Sequence, residues 1–267
     1  MVWYSRTARG NTMSSFTVGV KEFKEAVEAV WLKGKYKSST VSKTNVISDT
    51  ICASINPNGN LMLSNANDTI AASVTIRATT QSIDEVKAIM FDIEKVMKFL
   101  KSFSGEMLKV KIGNGKILLS SENQSATVPL SVEHQNLNFI VKLNTLKIID
   151  EQPPKFGKKE LKTKLVIDGK TFSSAIKSCG SVGTAIYKLN YDGNLLTVSS
   201  RNFHNTENFS VSINPISQEG EEATVEFSAP IDKFCKDTIV IYFEDDNPIL
   251  IVGPGRRLVM APYIRVI

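Results

Sequence analysis

What most constrains the fold of this chain is an order of elements that occurs twice. In residues 20–33, Val20, Phe23, Val27, Val30 and Trp31 recur at three- and four-residue spacing. Lys21, Lys24, Glu25 and Glu28 fall on the other side. That period predicts an amphipathic helix, which Gly34 would close. Short alternating runs follow at 51–55, 61–65 and 70–77, the first two separated by Pro57-Asn-Gly-Asn60. A turn rich in residues that tolerate positive φ, set between alternating runs, predicts a hairpin. A second helix is expected over 92–103, with Asp92 as its cap. Its apolar stripe is Ile93, Val96, Met97 and Leu100, and Lys95, Lys98 and Lys101 lie opposite. Strands return at 108–112, 116–120 and 126–130, with the hairpin signal Asn114-Gly115 between the first two.

The same series then begins again. Residues 171–179 predict a short helix with Phe172, Ala175, Ile176 and Cys179 on one face. Residues 185–189, 195–199, 209–213 and 223–228 alternate like strands, and Asp192-Gly193-Asn194 turns between the first two. A fourth helix is expected at 230–235, with Pro230 in the early position that helices tolerate. Three further strands are expected at 238–243, 249–252 and 257–261. The reading is therefore α+β: two similar domains, 14–143 and 164–267, each with two short helices packed on antiparallel sheets. The joining segment, 144–163, contains Pro153-Pro154 and five lysines and has a linker's composition. Residues 1–13 are unpatterned and read as an extension without ordered structure.

Groups able to do chemistry are sparse. His134 and His204 each stand alone in a polar stretch and read as surface histidines. No Cys-x-x-Cys or His-x-x-x-His spacing offers a metal site. Gly180-Ser-Val-Gly183-Thr lacks the lysine of a phosphate loop and follows a helix, so it reads as a helix stop. Glu244-Asp245-Asp246 reads as a charged turn. No catalytic residue, metal or cofactor is expected, and the chain reads as a binding protein rather than an enzyme. Cys52, Cys179 and Cys235 are widely spaced, which favours buried thiols in a reducing compartment. No apolar run approaches the roughly 20 residues of a membrane helix, so no membrane partner is expected. The net charge of +5 permits binding to nucleic acid.

The C-terminal part carries the most specific motifs. Ser228-Ala-Pro-Ile-Asp-Lys-Phe-Cys-Lys236 precedes a strand, then Asp246-Asn-Pro-Ile-Leu-Ile-Val252, and the chain closes with Leu258-Val-Met-Ala-Pro-Tyr-Ile264. This order resembles the end of the DNA sliding clamps, both the two-domain proliferating cell nuclear antigen and the bacterial beta clamp. Phe172-Ser-Ser-Ala-Ile-Lys-Ser-Cys179 followed by Tyr191-Asp-Gly-Asn-Leu-Leu196 is similar to the opening of a clamp's second domain. Over 14–143 the likeness lies in element order.

The resemblance implies a polymerase processivity factor without enzymatic activity, inside the cell at sites of DNA replication and repair. Three chains would close a six-domain ring around duplex DNA, set there by a clamp loader, with edge strands pairing between subunits. Lysines on the helices would face the DNA: Lys21, Lys24, Lys95, Lys98, Lys101, Lys177, Lys233 and Lys236. Mobile point charges suit contacts that carry no sequence information. The DNA polymerase and other clamp-binding proteins would dock in an apolar pocket. Its expected residues are Pro248, Ile249, Leu250, Ala261, Pro262, Tyr263 and Ile264, with Pro153, Pro154 and Phe156 from the linker. Many clamps are acidic overall and this chain is basic, so an open processivity factor that binds DNA on one basic face stays as the alternative. A β-rich enzyme of unrecognised fold is the alternative from another class.

Overall fold

Hairpin turns and helix caps of the kind the sequence announces set the local frame. A computed structural model of the chain describes residues 14–31, 49–56, 58–80, 88–131, 137–148, 152–156, 158–182, 186–202, 204, 206–229 and 231–263. Residues 1–13, 32–34, Pro57, His134, Gly183, Pro230 and Ile264, all invoked above, lie outside the described residues. Two compact units divide the chain. The described residues within 14–31, 49–65 and 74–131 make up the first, and those within 66–73 and 137–263 the second.

The first unit opens with β1 (Ser14–Gly19), which runs straight into α1 (Val20–Trp31). Then come β2 (Thr50–Ile55), β3 (Leu61–Ala66), β4 (Ile70–Ile76), β5 (Thr79–Thr80) and β6 (Ile89–Asp92), with 66–73, the last residue of β3 and the first half of β4, grouped in the second unit. Helix α2 (Ile93–Leu100) leads to β7 (Met107–Gly113), β8 (Lys116–Ser121) and β9 (Gln124–Pro129). One sheet has the order β5-β1-β7-β8-β9, and β4-β3-β2-β6 follow one another in a second. At the β7–β8 turn Asn114 and Gly115 have φ of 52° and 71°. Two successive positive φ values favour Asn-Gly, because glycine pays no Cβ penalty there. Asp92 caps α2, its carboxylate accepting the Lys95 N–H at 2.9 Å.

In the second unit α3 (Leu137–Thr145) is followed by a small ribbon, β10 (Lys155–Phe156) and β11 (Lys159–Glu160). Strand β12 (Thr163–Asp168) runs straight into α4 (Gly169–Cys179). After a 3-10 turn at Gly180–Val182 come β13 (Ile186–Tyr191), β14 (Leu196–Arg201), β15 (Asn208–Ile213), β16 (Ser217–Glu219) and β17 (Ala223–Phe227). The unit ends with β18 (Thr238–Phe243), β19 (Ile249–Gly253) and β20 (Arg256–Met260). The strand orders are β16-β12-β18-β19-β20 and β15-β14-β13-β17.

These orders repeat those of the first unit strand for strand. The correspondence extends to single hydrogen bonds. Val20, the first residue of α1, donates its N–H to the Glu106 carbonyl at 2.8 Å, just before β7. Gly169, the first residue of α4, donates to the Asp237 carbonyl at 2.6 Å, just before β18. The two units are thus one topology used twice.

The halves differ at the second helix. The helix expected at 230–235 is a single turn: the N–H groups of Phe234 and Cys235 both reach back to the Ile231 carbonyl. Ile231, Phe234 and Cys235 are buried at helical spacing, which is why the stretch reads as a helix. Asp237, at a φ of 58°, then turns the chain into β18 before a second turn can form. The segment 144–163, read as linker from its composition, contains the end of α3 and the β10–β11 ribbon.

Each helix buries one stripe. Val20, Phe23, Ala26, Val27, Ala29 and Val30 of α1 are buried, as are Ile93, Val96, Met97 and Leu100 of α2, and the two helices pack on each other. Helix α4 packs Phe172, Ala175, Ile176 and Cys179 over β12, β14 and β15. Each large side chain so removed from water contributes roughly 1.5–3 kcal/mol. Cys52, Cys179 and Cys235 are all buried free thiols. Among the described residues no helix is long and apolar enough to cross a membrane.

Candidate functional site

The stripes that bury apolar residues leave the lysines outward. In the first unit Lys95, Lys98 and the C-capping Lys101 of α2 are exposed, opposite the buried stripe. Lys95 also pairs with Asp92 at 3.4 Å. Adjoining α1 presents Lys21, exposed, and Lys24, half-buried, but Glu22, Glu25 and Glu28 share its outer surface. The lysine set of this unit is therefore concentrated on α2.

In the second unit Lys177 is exposed on α4, and so is Lys170, which the sequence pattern did not single out. The signal for Lys170 was Asp168, whose carboxylate accepts both the N–H and the hydroxyl of Thr171 at 2.8 Å and so starts the helix at Gly169. Those hydrogen bonds, the backbone one first, hold the Asp168 carboxyl below its ordinary range. The turn after Ile231 carries exposed Lys233 and Lys236. It adjoins α4, since Ser173 donates its hydroxyl to the Asp232 carbonyl at 2.7 Å. Each unit thus gathers its expected lysines on neighbouring elements.

The expected partner residues divide into groups. Pro153, Pro154 and Phe156 line a groove of about 560 Å³ together with Lys142, Thr145, Leu146, Lys147, Gln152 and Lys155. Lining from the end of α3 was not foreseen. Beneath lies a cluster of Leu161, Tyr242 and Leu250, against which Leu146, Ile148, Val240 and Val252 pack. Two bonds fix the walls: Leu161 donates its N–H to the Pro154 carbonyl at 3.0 Å, and Arg257 donates to the Leu146 carbonyl at 2.9 Å. Leu250 does not line the groove but belongs to the cluster against which the lining residue Leu146 packs. Ile249 is fully buried in the β19–β20 ladder opposite Met260, and Pro248 is half-buried before it. Neither lines the groove. Ala261 donates its N–H to the Thr69 carbonyl and Tyr263 to the Glu226 carbonyl, both at 2.7 Å, which ties the tail elsewhere.

Residues singled out for other chemistry have structural surroundings. His204 is exposed. Asp245 accepts the Thr224 N–H at 2.6 Å, which gives the charged turn a bracing role.

Comparison with solved structures places this repeated topology in the fold class of the DNA sliding clamps. No family model and no curated protein matches the sequence. The A. fulgidus proliferating cell nuclear antigen, solved with the C-terminal region of FEN-1, is similar with a TM-score of 0.67. It is 16% identical, and the match covers 95% of this chain and 100% of that one. The beta subunit of Pseudomonas aeruginosa DNA polymerase III matches with a TM-score of 0.68 at 10% identity, over 98% of this chain and 69% of its own. The Helicobacter pylori beta clamp bound to a DNA ligase peptide reaches 0.61 at 12% identity, over 95% and 67%. The chain has the sliding-clamp fold.

Proposed function

We propose that this chain is a sliding clamp, a processivity factor that encircles duplex DNA and tethers replication and repair proteins to it. The observation that carries the reading is the strand-for-strand repetition of one unit, with exposed lysines on the helices of both. The expected domains 14–143 and 164–267 would be the two clamp domains of each subunit, and three copies would close the ring. Two long strands, β9 and β15, end their sheets. Strand β17 is also an edge, but the tail bonds to it at Glu226. Strand β9 of one copy pairing with β15 of the next would satisfy both open edges. A ring holds DNA by topology, so its contacts need not be strong. The tether raises the polymerase's effective concentration at the primer end.

The groove beside α3 would receive the partner peptide. Support comes from two relatives by fold whose structures hold a region of FEN-1 and a DNA ligase peptide. A clamp loader and a DNA polymerase complete the set of partners. No step of this function needs a catalytic group.

Light scattering at micromolar concentration tests the ring: the expected mass is about three times the 29.4 kDa of the chain. Retention on closed circular DNA, with release when the circle is cut, tests encirclement. The net charge of +5 favours one second reading, an open factor that binds DNA on a basic face. A mass of one or two chains, and equal retention on circular and cut DNA, would establish that reading instead.

A further inference from the structure

We infer that the groove beside α3 selects peptides whose apolar anchors are flanked by acidic residues; this rests on the groove being the partner site. Its lining combines two chemistries. Leu146, Pro153, Pro154 and Phe156 supply an apolar surface, and Lys142, Lys147 and Lys155 stand on it as exposed cations. The adjoining ribbon adds Lys158 and Lys159, and Lys162 follows two residues after it, each exposed.

Among the described residues of 137–163 Glu160 is the one carboxylate, and its pairing with Lys155 leaves Lys142, Lys147, Lys158, Lys159 and Lys162 as the surplus charge. Glu160 is committed to Lys155, with N–O at 2.7 Å, and that hydrogen bond together with the lysine's charge holds its carboxyl below the ordinary range. Asp150 and Glu151 also belong to this stretch of sequence and lie outside the described residues. Lysines thus outnumber carboxylates along 137–163 by six to three. A ligand entering the groove buries apolar anchors against Leu146 and Phe156 while its flanks pass the lysines. Acidic flanks gain attraction there and basic flanks meet repulsion, so the rim selects between peptides with identical anchors.

Fluorescence anisotropy on the full chain tests this with three peptides: one aromatic and aliphatic anchor set with aspartate and glutamate flanks, the same set with lysine flanks, and the acidic flanks with the anchors replaced by serine. The acidic-flanked anchors are expected to bind about tenfold tighter than the lysine-flanked ones at low salt, from a few exposed pairs acting together. The difference should shrink as salt rises. The triple change Lys142→Glu, Lys147→Glu and Lys155→Glu should reverse the preference, with the thermal melt retained because all three side chains are exposed. Equal binding of both flanks, or tighter binding of the lysine-flanked peptide, overturns the inference.

A Leu146→Asp, Phe156→Asp variant separates this from the underlying reading. If it loses both anchored peptides while flank charge proves irrelevant, the groove is the partner site and only the acidic preference is wrong. If it binds both as before, the groove reading itself fails. A single-stranded oligonucleotide is the remaining arm. Loss of oligonucleotide binding alone on charge reversal would assign the lysines to nucleic acid and overturn the peptide.

Discussion

At the scale of single residues, the first positions of α1 and α4 behave differently. Val20 carries a side chain, whereas a Cβ on Gly169 would collide with the Asp237 carbonyl oxygen, the atom its own N–H bonds. Gly169→Ala is therefore expected to lower stability by about 1–3 kcal/mol, as overpacking does, read from a denaturant melt. Asp168, next to it, has its carboxyl pKa depressed by its bonds to Thr171. A depressed carboxyl contributes stability that is fully present above its unfolded value, about 3.9, and lost as pH falls through the folded value. Melting temperature should thus drop with acidification below about pH 4, and Asp168→Asn should flatten part of that drop. An unchanged pH profile in the variant would remove Asp168 from this role. The thiols give a third test. Burial pushes Cys52 up to about 11 and raises Cys179 and Cys235 as well. The thiolate is the reactive form, so a disulfide reagent at pH 8 should label the native chain slowly and the denatured chain at once.

At the scale of elements, the helices carry their charge unequally. Helix α2 shows three exposed lysines against Glu94, whereas α1 mixes Lys21 and Lys24 with three glutamates. Charge reversal at Lys95, Lys98 and Lys101 should weaken binding to every duplex alike. It should also reduce the salt dependence of log K by about 0.9 for each phosphate that is no longer neutralised. The same reversal at Lys21 and Lys24 should do less. Filter binding across a salt series on two unrelated duplexes checks both, and a sequence-selective loss would exclude this use of α2. Helix α3 shows why one element was missed. Only Ile140 and Leu143 of its side chains are buried, while Phe139 and Val141 are 39% and 38% exposed. Apolar residues on both sides of a nine-residue helix blur the period that betrays α1 and α2. The opposite error arose at Ile231, Phe234 and Cys235, whose helical spacing serves one turn.

For the whole molecule, the proposed ring makes a prediction at its joint. Phe209 lies on the edge strand β15 and is 42% exposed. Phe209→Asp should shift the mass in solution from three chains towards one, without lowering the melting temperature of the single chain. If the mass is unchanged, β15 is not the joint between copies.

What the sequence determined by itself is local. Asn114-Gly115 specifies the β7–β8 hairpin through two positive φ values, and Asp92 specifies the start of α2 through one side-chain bond. The stripes on α1, α2 and α4 specify which face each helix buries, and hence which lysines stay outside. These signals act within a few residues, where backbone geometry and side-chain period are sufficient, and together they reveal the duplicated order. Tertiary structure alone brought the end of α3 to the groove that the sequence had assigned to Pro153, Pro154 and Phe156. Leu146, Pro154, Leu161, Tyr242 and Leu250 share no period and no motif; they meet because β12, β18 and β19 are neighbours in one sheet and the α3–β10 segment is bonded over them. The same long-range placement put Ile249 in the core and the lysines of 142–155 at the rim, since a strand's pairing partner sets which neighbours a side chain meets.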